Sequence, residues 1–128
     1  MLSQTATYAI RSMAFLAAHR DDGPILSQTI AREMEIPGNF LSKILNRLVQ
    51  AGFIHSIRGT KGGFVLAKKP SEIRVRDIAD LFMRFDDFKK CFLGLHDCDG
   101  TCRLHRHWLK IVNQMERLLD ETTIDRIL

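Results

Sequence analysis

FLSKILNRLVQAGFIHSIRGTKGGFVLA, residues 40–67, changes its hydrophobic period half-way along, and that change decides the fold. Leu41, Ile44, Leu45, Leu48 and Val49 recur at the three-four spacing of one helical face, and Gly52 supplies a C-terminal stop. The opposite face carries Ser42, Lys43, Asn46, Arg47 and Gln50, which are donors and acceptors suited to base edges and phosphates. Beyond Gly52 the pattern becomes FIHSI and FVLA, two short β-rich runs around Arg58-Gly59-Thr60-Lys61-Gly62-Gly63. A helix followed by a hairpin with cations at its tip has the layout of a recognition helix with its wing.

Upstream, Ser27 is expected to cap a short helix carrying Ile30, Ala31 and Met34, which the segment Glu35-Ile36-Pro37-Gly38-Asn39 breaks. Helix, turn, helix and basic wing then follow in order. The surface expected to face double-stranded DNA comprises Gln28, Asn39, Ser42, Lys43, Asn46 and Arg47, with Arg58, Thr60, Lys61 and Gly62 from the wing. An arginine in the wing can enter a narrow minor groove.

Charge supports a polyanionic partner. The chain has 128 residues and a net charge of +4, but residues 41–76 hold Lys43, Arg47, Arg58, Lys61, Lys68, Lys69, Arg74 and Arg76 against the single acid Glu72. The remainder is net acidic. These cations alternate with apolar positions, unlike those of a solvated tail.

At 45% hydrophobic and 27% charged residues the composition suits one domain with a modest core. The apolar stretch LSQTATYAIRSMAFLAAH is interrupted by Arg11 and no small-residue cleavage site follows, so a buried helix in a cytoplasmic protein is expected and no membrane association. After Pro70, VRDIADLFMRF puts Ile78, Ala79, Phe82 and Phe85 on one helical face. From Leu104 a long helix aligns Trp108, Ile111, Val112, Met115, Leu118 and Leu119. So small a domain leaves this face little to cover, which points to a homodimer reading a palindromic operator through its own two-fold symmetry. The fold class expected is mainly α with a small β-hairpin wing: a winged helix-turn-helix over 1–85, a cysteine loop over 86–103 and a dimerisation helix over 104–128, forming a single domain.

All three cysteines lie in CFLGLHDCDGTCRLHRHW, residues 91–108, with three of the five histidines. An odd number clustered in one segment argues against a disulfide framework. Cys91, Cys98, Cys102 and His105 offer three thiolates and an imidazole within one loop, a donor set for an iron-sulfur cluster or zinc. The polar neighbours Asp97, Asp99 and Gly100 argue against cysteines that merely fill space. His96 and His107 are competing donors, and His107 beside Trp108 reads as a surface or interface residue. No phosphate-cradling glycine loop, carboxylate pair or oriented nucleophile–base–third-residue set accompanies the cysteines, so no enzyme activity is expected.

TYAIRSMAFLA, the long stretch IPGNFLSKILNRLVQAGFIHSIRGTKGGFVLAKKPSEIRVRDI and the loop ending CRLHRHW together resemble the Rrf2 family of bacterial winged-helix regulators, whose members include IscR, NsrR and CymR. The resemblance spans almost the whole chain and is most specific at residues 41–48 and at Arg58, Gly62, Gly63 and Phe64. It implies a homodimeric transcription regulator, a repressor, in which the loop cysteines hold a 2Fe-2S or 4Fe-4S cluster sensing cluster supply, nitric oxide or redox state. Some relatives respond through a partner enzyme without any cluster, and the alternative for this chain is a winged-helix regulator with a structural zinc or no metal, controlled by thiol oxidation or by a protein partner. In cluster-holding members the interval between the second and third cysteines is longer than Asp99-Gly100-Thr101. Some relatives take a carboxylate or histidine ligand from the partner's first helix, where this chain has Thr5-Ala6-Thr7-Tyr8 and Ser12. His105, at the histidine position other members use, is therefore the leading fourth ligand.

Overall fold

In the computed structural model, which describes residues 2–96 and 98–128, the elements follow as α1 (Gln4–Ala18), α2 (Ser27–Glu33), α3 (Gly38–Gln50), β1 (Ile54–Ile57), β2 (Gly63–Leu66), α4 (Val75–Ala79) and α5 (Arg103–Glu121). Asp97, one of the polar residues expected around the cysteines, lies outside the described residues. Among the described residues no helix is long and apolar enough to cross a membrane.

The stripe of α3 is buried as its spacing requires, with Leu41, Ile44, Leu45 and Leu48 in the core. Each such side chain contributes about 1.5–3 kcal/mol on full burial. That packing holds a helix of 13 residues, too short to persist alone in water. At its end Gly52 takes φ 83°, donating to the Val49 carbonyl at 3.0 Å while Phe53 donates to Leu48 at 3.1 Å. These two bonds make a Schellman cap, as the glycine suggested.

The turn between α2 and α3 repeats the device without glycine. Glu35 stands at φ 55° while the Ile36 N–H reaches back to the Ala31 carbonyl at 2.9 Å. Two expectations need correction here. Ser27 is the first residue of α2 and not its cap: Leu26 holds the N-cap position and the Ser27 hydroxyl lies toward Gln28 Oε1 at 3.5 Å. Gly38 and Asn39, assigned to the break, form the first turn of α3: α2 is already closed at Glu35, and Pro37 is the N-cap from which α3 starts.

β1 and β2 pair antiparallel from Ile54↔Leu66 to Ile57↔Gly63. The hairpin is anchored to the body at its outer strand, where Ile25 and Phe64 exchange two backbone hydrogen bonds of 3.1 and 2.8 Å. Gly63 sits at φ 145° against that bridge, and a Cβ there would lie 2.5 Å from the Ile25 backbone. Glycine is required by this close approach.

Two apolar clusters form. The larger gathers Ala9, Met13 and Leu16 of α1 with the α3 stripe, Ile30, Ile54, Ile73, Ile78 and Ile124. The smaller joins Val75, Phe85, Val112 and Leu119, with Trp108 and Met115 packed against them. This division explains a further correction: α4 ends at Ala79 and does not run to Phe85. The hydrogen bonds tighten at Leu81 N–H to Ile78 and Phe82 N–H to Ala79. A straight helix would send Phe82 and Phe85 to one side, whereas the turn delivers Phe82 to the larger cluster and Phe85 to the smaller.

The apolar face of α5 divides likewise. Val112 and Leu119 are buried, while Leu104, Ile111 and Leu118 stay 42%, 49% and 63% exposed in one row seven residues apart.

Candidate nucleic-acid interface and cysteine loop

Of the ten residues expected to face DNA, nine are exposed: Gln28 on α2; Asn39, Ser42, Lys43, Asn46 and Arg47 on α3; and Arg58, Thr60 and Lys61 in the wing. Gln28 and Ser42 line one groove between α2 and α3. Among the described residues, Lys43, Arg47, Arg58 and Lys61 make no ion pair, so their charge is available to a polyanion. Gly62 differs. It is buried, its N–H donates to the Gly59 carbonyl at 3.0 Å, and an added Cβ would lie 2.3 Å from the Ile57 carbonyl oxygen. Its task is to shape the wing turn; the expectation of outward contact is corrected. One residue of this face has no counterpart in the expected set: Phe40, 50% exposed in the first turn of α3. Its signal in the sequence was an apolar side chain standing off the buried stripe.

The loop brings three of the four expected ligands to one place. Cys91, Cys98 and His105 line a cavity of about 610 Å³, together with Lys89, Lys90, His96, Asp99 and Gly100. Backbone N–H groups hold the Cys91 thiol below its ordinary value, Leu95 foremost with Leu93 and Gly94, assisted by the thiol of Cys98 and opposed by burial. The Gly100 N–H favours a Cys98 thiolate, but the hydrogen bond to Cys91, burial and the nearby sulfurs of Cys91 and Cys102 prevail and raise it. Cys102 is exposed and caps α5, its sulfur accepting the His105 N–H at 3.2 Å. Gly100, at φ 78°, makes room for the imidazole: a Cβ there would stand 3.3 Å from His105 Nε2. His107 is exposed, as expected of a surface or interface position.

Contacts invisible to sequence patterning tie this loop to the body. The Trp108 indole N–H donates to the Phe88 carbonyl at 2.6 Å, and Phe92 packs edge-on against the same indole at 5.1 Å. Lys89, two residues before Cys91, reaches Glu116 of α5 at 3.1 Å. Glu116 also receives Arg76 of α4 at 3.2 Å, and Arg76 lies 4.9 Å over the Phe85 ring. Lys89 first, then Arg76, hold the Glu116 carboxyl below the usual carboxylate range against the opposing effect of burial. The loop, the long helix and α4 thus share one carboxylate.

Residues 2–128 match the Rrf2 family, described as iron-dependent transcriptional regulators. The chain belongs to the Rrf2 family. A protein of Aquifex aeolicus (strain VF5) assigned as an HTH-type transcriptional regulator is 34% identical over 128 residues, spanning 97% of this chain and 88% of its own length. Among solved structures, T. potens IscR superposes with a TM-score of 0.76 at 28% identity, covering 98% of this chain and 84% of that one. CymR (YrzC), the global cysteine regulator of B. subtilis, superposes at 0.81 with 26% identity, covering 98% and 93%.

As an Rrf2 protein the chain is a winged-helix DNA-binding transcription regulator and not an enzyme. Among the described residues no three His, Cys, Asp or Glu side chains are gathered closely enough to hold a metal ion. The donor set of this Rrf2 loop nevertheless fits a soft metal centre. Two thiols and an imidazole share a cavity, and among the described residues the buried His105 Nδ1 has no hydrogen-bond partner. An unpartnered buried nitrogen costs about 1–3 kcal/mol, which coordination would remove. Cys102 would complete the set by turning inward, giving up its sulfur contact to the His105 N–H.

Proposed function

We propose that this regulator is a homodimeric repressor whose operator affinity is set by an iron-sulfur cluster held by Cys91, Cys98, Cys102 and His105. The observation that carries the reading is the convergence of Cys91, Cys98 and His105, whose Nδ1 has no partner among the described residues, on one cavity at the start of α5. Three soft thiolates suit a cluster, and the N–H groups of Leu95, Leu93 and Gly94 supply the stabilisation that bound sulfur requires. When bound, such a group supplies reversible electron and ligand exchange. Lys89 and Trp108 keep the segment before Cys91 against α5, so the ordering of the loop is felt along that helix.

Dimerisation is supported by the exposed row Leu104, Ile111 and Leu118. Two copies laid antiparallel would place Leu104 opposite Leu118, with Ile111 near the axis. In such a dimer, half-sites about one helical turn apart, roughly 34 Å, are read together.

A second reading is favoured by the two free thiols of Cys91 and Cys98 lining the same cavity. With no cluster, a peroxide would take two electrons and two protons from this pair, leaving a Cys91–Cys98 disulfide and either two waters from hydrogen peroxide or one water and one alcohol from an alkyl hydroperoxide. Anaerobic purification with absorbance spectra and iron, sulfide and zinc analysis decides between them. A brown protein with iron and sulfide in step supports the cluster; a colourless chain with zinc or without metal overturns it, and a two-dalton mass loss on peroxide treatment would then support the disulfide.

A further inference from the structure

The α3 surface carries one side chain that neither packing nor phosphate binding explains. Leu41, Ile44, Leu45 and Leu48 take up the buried stripe, whereas Phe40 is left half in water. Phe40, Lys43 and Arg47 follow at intervals of three and four, so all three share a face, and both cations lack a carboxylate partner among the described residues. Whatever anionic surface draws in Lys43 and Arg47 must therefore receive the phenyl ring with them.

The ring is held at the leading end of the helix. Phe40 is the third residue of α3, its N–H donating to the Pro37 carbonyl at 3.1 Å directly after the fixed turn at Glu35. Side chains in the first turns of a recognition helix are those that reach base edges. A phenyl group cannot donate to a phosphate or pair with a polar edge. In the major groove its apolar counterpart is the thymine C5-methyl, which cytosine and uracil lack.

We propose that Phe40 is a specificity-determining residue that packs on the C5-methyl group of a thymine in each operator half-site. This rests on α3 being the DNA-reading helix. Removing one buried methyl corresponds to about a fourfold loss of affinity, hence about fifteenfold across two half-sites.

The test begins by selecting duplexes from a randomised library with the wild-type chain. Each thymine of a selected duplex is then replaced in turn by deoxyuridine, and affinities are measured for wild type, Phe40→Ala, Phe40→Tyr and Lys43→Ala. One symmetry-related pair of thymines should show the fifteenfold penalty with wild type and Phe40→Tyr, and none with Phe40→Ala. Restoring the methyl by placing 5-methylcytosine at cytosine-substituted positions should recover affinity only when a ring is present. If every thymine tolerates deoxyuridine, or if the penalty survives in Phe40→Ala, the assignment is wrong while α3 stays the reading helix. Unchanged binding by Lys43→Ala, or failure to select any duplex, would instead remove the reading of α3 and this inference with it.

Discussion

Replacing Gly63 by alanine tests whether the wing is held rigidly to the body, on which its use as a DNA contact depends. The new Cβ would stand 2.5 Å from both the carbonyl carbon and oxygen of Ile25 and 2.8 Å from its nitrogen. Backbone atoms cannot swing aside as the end of a side chain does, so the Ile25–Phe64 bridge must open. Its two hydrogen bonds contribute about 1 kcal/mol each. Holding an L-residue at φ 145° adds about 1 kcal/mol or more. The expected loss is therefore about 3 kcal/mol. Gly59→Ala is the internal control, since Gly59 also has a positive φ, 115°, but an added Cβ there meets nothing within 4 Å. That variant should lose only the backbone contribution of about 1 kcal/mol, so the two should differ by about 2 kcal/mol, or about 1 M in urea midpoint. Urea unfolding followed by circular dichroism measures this, and duplex binding of the folded variants should be weaker for Gly63→Ala than for Gly59→Ala. Equal midpoints would refute the claim that the bridge anchors the wing.

Three further outcomes follow from the same geometry. Because Lys89 and Arg76 depress the Glu116 carboxyl, its contribution to stability is complete above the ordinary carboxylate value and is lost as pH falls through its lower folded value. Glu116→Gln should lower Tm by about 3 °C at pH 7 and flatten the acid side of the stability profile below about pH 4.3; an unchanged acid limb would show that the shared carboxylate is not a stabilising link. Ile111→Asp, in the exposed row of α5, should sediment as a folded monomer and bind operator at least about tenfold more weakly; a persisting dimer would place the interface elsewhere. Gly100→Ala should crowd His105 and speed loss of the bound cofactor to a chelator about tenfold, as displaced supporting groups do in other metal sites, and an unchanged rate would exclude His105 as a ligand.

What could be read from the sequence was whatever repeats at a helical or strand period or needs a glycine. The α3 stripe, the Gly52 cap and the hairpin were legible because each depends on neighbours close in the chain. The early end of α4 was not, since it follows from two apolar clusters competing for Phe82 and Phe85, and α5, which completes the smaller one, arrives much later in the sequence. The splitting of the α5 face into a buried and an exposed row has the same origin. In the loop, residue types indicated the chemistry, but spacing could not show that Cys102 caps α5 while Cys91, Cys98 and His105 share a cavity. A donor set that assembles around its metal is only partly formed without it, because binding energy orders the site. The Lys89–Glu116–Arg76 link had no local signal at all, its members lying 27 and 40 residues apart.

On the proposed function, the cysteine loop controls how the two reading heads meet the operator. The direct measurement is the affinity of the anaerobically purified dimer for a selected palindromic duplex and for an unrelated duplex of equal length, at one salt concentration, before and after removal of the cofactor. Non-specific binding depends on Lys43, Arg47, Arg58 and Lys61, whose charge does not alter when the loop loosens. In the proposed dimer, operator binding depends also on the spacing of the two α3 helices, which a small rotation at the α5 interface would change. The expected result is a change of at least about tenfold for the operator and less than about twofold for the unrelated duplex. Equal changes for both duplexes, or none for the operator, would contradict the account and leave the loop a structural feature without control over DNA binding.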